Sequence, residues 1–467
     1  MIEICFSVGV VMLRALESKQ SSKQPTAARR RSSLSLRGIV ALACAWCAVG
    51  AEAQLNVTIT DGLDEAVPIA VVPFGWQGAG APAFDLAGVV SSDLGSSGRF
   101  APLATRDMVS RPTQASQVNF QDWRVLDADY LVIGTLTEDA PDSFTATFQL
   151  FDVLRGESLT GFRLQSGRAD LRKAAHRISD MIFQQITGIP GVFSTQIAYI
   201  SEERRPDNSK LFRLIVSDAD GENPQRVAES TQPLMSPAWS PDARRLAYVS
   251  FEGGNSGVYV QTLRTGTRER VSGRAGVNSS PSFSPDGRTL ALTLSRDAGN
   301  LDVHTLDLST QVLRQLTTDE AIDSEASWSP DGRSIYFMSD RAGAPQIYRV
   351  GTEAGQRAQR ISFEGVYNAR PRLSPHGNLI AVVNGENNRY HIGIIEVANG
   401  RLTVLTPNGR LDESPSFAPN GAQIIYATRE NGRGVLASVS TDGRIKTQIA
   451  SVAGDVREPV WGPFPRP

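Results

Sequence analysis

The side chains that could do chemistry are few, and most fail on spacing. Cys44 and Cys47 have the Cys-x-x-Cys spacing of a redox or metal pair. The histidines of the main body, His176, His304, His376 and His391, form no His-Glu-x-x-His motif and no pair at metal spacing. His376 stands where neighbouring repeats carry a turn aspartate or asparagine, and reads as a surface turn residue. No Gly-x-Ser-x-Gly elbow presents a nucleophilic serine. Asp218-Ala-Asp220-Gly221 opens like a calcium loop, but the later ligands are missing and a strand turn explains it better. Asp242, Asp286 and Asp331 recur in a Ser-Pro-Asp phrase that is shorter than the Asp-box of sialidases. They are expected to close turns through side-chain to backbone bonds.

The surroundings of the cysteine pair remove it from consideration. Cys5, Cys44 and Cys47 all fall within the first 50 residues. Arg29, Arg30, Arg31 and Arg37 precede an apolar run from Ile39 to Val49, which ends at Ala51-Glu-Ala53. A basic segment, about a dozen apolar residues and an Ala-x-Ala site describe a secretory signal. The run is shorter than the ~20 residues of a membrane span. Cleavage is expected between Ala53 and Gln54, by general secretion in preference to the twin-arginine route that Arg30-Arg31 weakly resembles. Met12 is an alternative start. Residues 1–53 carry seven basic and three acidic side chains, so their removal takes the formal charge from -2 to -6. The exported chain is then cysteine-free and mildly acidic, with no basic excess for nucleic acid.

The elements that must position everything else are set by a repeat, which is the first thing to seek in a chain of 467 residues. Pro237-Ala-Trp-Ser-Pro-Asp-Ala243 returns as Pro281 to Gly287, Ala326 to Gly332, Pro371 to Gly377, Pro415 to Gly421 and Pro459 to Phe464. Its second proline stands at 241, 285, 330, 375, 419 and 463, at intervals of 44 or 45 residues. A short β-prone run, such as Leu246-Ala-Tyr-Val-Ser250, starts five residues after each of the first five of these prolines. Pro-Asp-Gly between two such runs is hairpin chemistry. Four short strands per unit of this length is the spacing of a propeller blade. The run at Ile197 lacks a preceding anchor, and the anchor at Pro459 lacks a following run. Joining them completes a sixth blade and removes an open sheet edge. The expected fold is mostly β, a six-bladed β-propeller with interlocked ends over residues 191–467.

Residues 54–190 lack the period and read as a small α/β domain. Strands are expected at Pro68–Phe74, at Ala128–Leu136 and, half-exposed, at Ser143–Phe151. Helices are expected at Phe84–Leu94 and from the cap Asp170 to about Thr187, where Gly188-Ile-Pro-Gly191 breaks the chain. Pro68-Ile-Ala-Val-Val-Pro-Phe74, Thr187 to Tyr199, and Gln232-Pro-Leu-Met-Ser-Pro-Ala-Trp-Ser-Pro-Asp242 together resemble the TolB family of the Gram-negative Tol-Pal system, over essentially all of 54–467.

That resemblance implies a non-enzymatic periplasmic adaptor without cofactors. Its implied partners are the lipoprotein Pal at the propeller and the inner-membrane protein TolA at the mature N-terminus, with other outer-membrane lipoproteins or porins besides. It implies a peripheral relation to the membrane, through partners only, and a role in outer-membrane constriction at division. In that periplasmic setting Asn56-Val-Thr58 is discounted as a glycosylation acceptor. The segment Gln54 to Leu63 alternates at Leu55, Val57 and Ile59 and is β-prone. Alone it suits either strand addition to a partner or packing on its own domain. With the resemblance, Gln54, Leu55, Val57, Ile59 and Asp61 are expected to dock at home or bind TolA away from it. The residues just before each anchor should line one rim around the axis. On that rim Asn278, Ser279, Ser324, Glu325, Arg370, Glu413 and Arg457 are expected to face Pal, against the alternative of solvated loops. The competing function is a propeller polysaccharide lyase or hydrolase with its catalytic groups in the channel. The expected channel positions, Ala238, Ser282, Ser327, Arg372, Ser416 and Val460, are mostly small and support it poorly.

Overall fold

The computed structural model describes residues 57–59, 66–295, 300–353, 355–449 and 455–465. Ala53, Gln54, Leu55 and Asp61, and with them the signal peptide, lie outside the described residues.

The repeat builds six four-stranded antiparallel sheets arranged around an axis. Their innermost strands are Asp455–Trp461, Leu234–Trp239, Asn278–Phe283, Asp323–Trp328, Tyr367–Leu373 and Glu413–Phe417, which we number as blades 1 to 6. Each packs on its neighbours, and the last returns to the first. Blade 1 joins the two ends of the array: Asp455–Trp461 pairs with Gln196–Arg204 at Val460↔Ala198 and Trp461↔Ile197. The expected interlocking is therefore present.

The anchor phrase does two structural jobs. Its aspartates close the hairpins: Asp242, Asp286 and Asp331 each accept the amide two residues on at 3.0–3.1 Å and the preceding serine hydroxyl at 2.6 Å. Its tryptophans tie blades together. Trp239 Nε1 donates to the Val460 carbonyl at 3.2 Å and Trp328 Nε1 to the Ser282 carbonyl at 3.1 Å. Between blades the core is aliphatic and aromatic, as at Ala247, Val249, Leu290 and Leu292, all at zero exposure. Such burial supplies ~25 cal/mol per Å² of apolar surface.

Ahead of the ring lies an α/β region. Its sheet runs in the order Phe100–Pro102, Val67–Val71, Tyr130–Ala140, Ser143–Asp152, Glu157–Gly167. The first three strands are mutually parallel and the rest antiparallel. Helices α1 (Leu86–Ser96) and α3 (Leu171–Thr187) cover one face through Leu86, Val90, Leu94, Ile178 and Ile182. The short helix α2 (Phe120–Val125) covers the other through Trp123. This second layer corrects one expectation. Ser143–Asp152 is mostly buried, not half-exposed, since Phe144, Ala146 and Phe148 face α1 and α3 while Phe151 joins the cluster around Trp123. Asp170 stands at the N-terminus of α3, but its side chain makes no capping bond. Gly188 ends that helix in the left-handed conformation, φ 73°.

Candidate functional site

The charged groups of the propeller converge where the inner strands deform. Each inner strand pairs regularly with the next strand, slips by a bulge, and resumes. The bulged residue has positive φ in every blade: Ser236, Ser280, Glu325, Arg370, Ser414 and Glu458, at 48–59°. Left-handed backbone costs an L-residue about 1–2 kcal/mol, so the ring of inner strands must repay it six times. A bulge re-aims its side chain, and three of these six are charged.

Arg370 of blade 5 is the hub. Its Nε lies 3.4 Å from Glu325 Oε1 of blade 4, and its Nη2 lies 3.7 Å from Glu458 Oε1 of blade 1. It also bonds the Ser414 hydroxyl of blade 6. Blades 5 and 1 are not neighbours, so the Arg370–Glu458 pair spans the axis. Backbone amides complete the cluster: Arg370 N donates to Glu325 Oε2 at 2.8 Å, and Ser236 N to Glu458 Oε2. Burial works against the Arg370 charge, but Glu458, Glu325 and Glu413 outweigh it and hold its pKa above the ordinary arginine value. Glu413 is pushed the other way: burial raises its carboxyl pKa more than Arg370 lowers it.

The expected rim residues therefore divide. Asn278, Ser279, Ser324 and Glu325 are buried, with Asn278 at 0% exposure, so they do not form a solvent-facing rim. The reason is polar satisfaction. Asn278 accepts from Ser272 Oγ at 2.7 Å and Arg274 N at 3.1 Å, and donates to the Arg274 carbonyl at 2.8 Å, pinning the loop that enters blade 3. Arg370 and Glu413 are half-buried on the axis. Arg457 is more accessible than Arg370, and pairs with Glu202 at 2.9 Å and Asp455 at 3.1 Å. Sequence reasoning placed Glu458 on the rim without choosing it as Pal-facing, left Asp323 unnamed, and likewise placed but did not choose Asn368 and Asp412. The last three occupy the Asn278 position of their blades, and both carboxylate oxygens of Asp323 accept from Arg341 Nη2, at 2.8 and 2.9 Å. Register within the 44–45-residue period was the signal available for finding them.

The N-terminal segment meets the propeller at blade 6. Val57–Ile59 adds a fifth, antiparallel strand to the outer edge of that sheet, with Val57↔Thr447, Thr58↔Lys446 and Ile59↔Ile445. Its home is thus a propeller blade and not the α/β sheet.

Two family descriptions match in tandem. The TolB amino-terminal domain matches residues 55–159 and the TolB beta propeller domain residues 183–465. The Tol-Pal system protein TolB of Thioalkalivibrio sulfidiphilus is 48% identical over 431 residues, 92% of this chain and 98% of that one. That of Xanthomonas euvesicatoria is 44% identical over 432 residues. The crystal structure of TolB from Acinetobacter baumannii superposes with a TM-score of 0.80 at 40% identity, over 88% of this chain and 100% of that one. The chain belongs to the TolB family.

TolB is a non-enzymatic component of the Tol-Pal system. Carboxylates and arginines from several blades do meet on the axis, as a channel enzyme would require. Glu325, Arg370 and Glu458 are spent on one another and on backbone amides. One further cluster joins the α/β region to blade 1. His176 on α3, 2% exposed, places Nδ1 2.8 Å from Asp93 Oδ2 on α1. Its Nε2, without a hydrogen-bond partner among the described residues, faces Asp218 and Asp220 at 3.8 and 3.9 Å. Arg172 bonds Asp220 and lies 3.4 Å from Asp218, which also accepts from Asn223 at 2.7 Å. Asp93, His176 and Asp220 are close enough to hold a metal ion, but Arg172 already bonds Asp220 Oδ2 and Glu222 N its Oδ1. The Asp218–Asp220 turn expected from sequence is present, and it serves as a latch as well.

Proposed function

We propose that this chain is the periplasmic adaptor of a Tol-Pal system, binding Pal at the propeller channel mouth and TolA through its mature N-terminal segment, and so supporting outer-membrane invagination and envelope integrity. Other outer-membrane lipoproteins or porins are secondary partners, reached without membrane insertion. Residues 54–190 act as the α/β domain that carries the segment and residues 191–467 as the Pal-binding propeller, after export with cleavage between Ala53 and Gln54. The observation that carries the reading is the placement of Val57–Ile59 on a sheet edge by only three residue pairs. A short edge strand is held by main-chain bonds that another sheet edge offers equally well. Gln54, Leu55, Val57, Ile59 and Asp61 are then the TolA-binding residues. On the Pal side, Arg457 offers the accessible charge and the half-buried Arg370 and Glu413 lie behind it, while Asn278, Ser279, Ser324 and Glu325 shape the mouth from within.

The test is a pair of titrations, purified Pal and the soluble part of TolA against the mature chain and against a chain lacking residues 54–63. TolA binding is expected to vanish in the truncated chain while Pal binding and the melting temperature persist. TolA affinity unchanged in a folded truncated chain would overturn the reading of the N-terminus. Pal unable to bind either chain would overturn the propeller reading.

A further inference from the structure

Two residues past each bulge, the inner strands resume their pairing at Ala238, Ser282, Ser327, Arg372, Ser416 and Val460. Equivalent register in all six blades puts these side chains at one level of the channel. They line a single cavity of about 370 Å³, open at the end that carries the Ser-Pro turns. The Glu325–Arg370–Glu458 cluster is not part of its lining.

Arg372 is the one charged side chain at this level. Arg370 has two carboxylates within ion-pair reach, but Arg372 has none among the described residues. Its hydrogen bond runs to its own neighbour, Nη1 to the Pro371 carbonyl at 2.9 Å, which leaves other guanidinium donors for the cavity. The hydroxyls at the same level are also available as donors. Ser416 Oγ accepts from Trp461 N at 3.0 Å, which leaves its proton unspent. A guanidinium in a partly desolvated channel with no carboxylate in ion-pair contact is costly, because Glu325 and Glu458 act on it only from a distance. Burial, and then the neighbouring charge of Arg370, depress its pKa. An oxyanion removes that cost through charge-assisted bonds.

We propose that this level of the channel is a binding site for a small tetrahedral oxyanion of the phosphate or sulfate class, with Arg372 supplying the charge and Ser282, Ser327 and Ser416 supplying neutral donors. The site is distinct from the partner surfaces proposed above and needs neither Pal nor TolA.

Calorimetric titration of sodium phosphate, and separately sodium sulfate, into the full mature chain tests it, with sodium chloride holding ionic strength constant. A saturable heat with at least one of the two anions, weakened at least tenfold in Arg372→Met and largely retained in Arg372→Lys, is the expected result. No saturable heat with either anion, or an unchanged affinity in a folded Arg372→Met chain, would overturn the site. If Arg372→Met does not fold, the Ser282→Ala/Ser327→Ala double variant decides. Several-fold weaker binding supports the site, and unchanged binding refutes it.

Discussion

Ala243 has φ 58° where the matching positions of four other blades, Gly287, Gly332, Gly377 and Gly421, have glycine at 69–73°. An L-residue pays about 1–2 kcal/mol for that conformation, while glycine gives back about 0.5–1 kcal/mol through a freer unfolded chain. Ala243→Gly is therefore expected to stabilise the protein by ~0.5–1 kcal/mol, read as a higher urea midpoint with unchanged slope. A lower midpoint would mean that the Ala243 methyl makes contacts worth more than the strain. The same backbone region is used without glycine at the six bulges, and there the side chain is the reason. Glu325, Arg370 and Glu458 could not meet on the axis if those positions were glycine. The turn residues were legible because Ser-Pro-Asp-Gly acts on its own neighbours. The rim positions of Glu325 and Arg370 were legible too, but their pairing was not, because Arg370 finds Glu325 and Glu458 at separations of 45 and 88 residues, and nothing local marks the encounter.

Helix α3 shows the same division one scale up. Its apolar stripe, Leu171, Ala174, Ala175, Ile178 and Ile182, predicts an amphipathic helix packed on a sheet, and the helix spans Leu171–Thr187. His176 falls on that buried side, and its environment is supplied by other elements. Asp93 faces it from α1, Arg172 and Ser179 flank it on α3, and Asp218 and Asp220 face it from the blade 1 turn. Burial lowers the His176 pKa, but the Asp93 bond and charge and the Asp220 charge outweigh it, so the net shift is upward from 6.5. A raised folded-state value means that protonation favours the folded form. Its stabilisation is complete below pH 6.5 and is lost as pH rises through the higher folded value. His176→Asn should lower the melting temperature most in mildly acidic buffer, with the gap to the unaltered chain narrowing as pH rises through the raised folded-state value. A gap independent of pH would assign His176 a packing role alone.

Closure of the ring is a property of the whole molecule. Blade 1 takes its inner strand, Asp455–Trp461, from the far end of the chain. Without that strand, Gln196–Arg204 presents an unpaired inner edge, and Trp461 no longer donates to Thr195 Oγ1, a bond of 2.8 Å. A chain ending at Gly454 should lose its single cooperative melting transition and elute as aggregate in size-exclusion chromatography. A monomer with an unchanged melting temperature would show that the ring holds without its clasp. The bond from Thr447 Oγ1 to the Ser96 carbonyl, 3.1 Å, and the bond from Asn420 Nδ2 to the Pro190 carbonyl, 2.8 Å, tie blade 6 to the α/β region. The same blade that receives Val57–Ile59 is therefore in contact with the region from which that segment emerges.

Blade number, strand spacing, turn chemistry and the clasp between the ends were all determined by the sequence alone, because each follows from residues that interact within a few positions or from a period that survives in one dimension. Only the tertiary structure decided that the expected rim residues Asn278, Ser279, Ser324 and Glu325 are buried, that Arg370 is neutralised across the axis while Arg372 is not, and that the N-terminal strand lodges on blade 6. Those outcomes depend on which side chains of different blades share one low-dielectric space. There the energy of a charge is set by neighbours 40 to 220 residues away, and no local pattern records it.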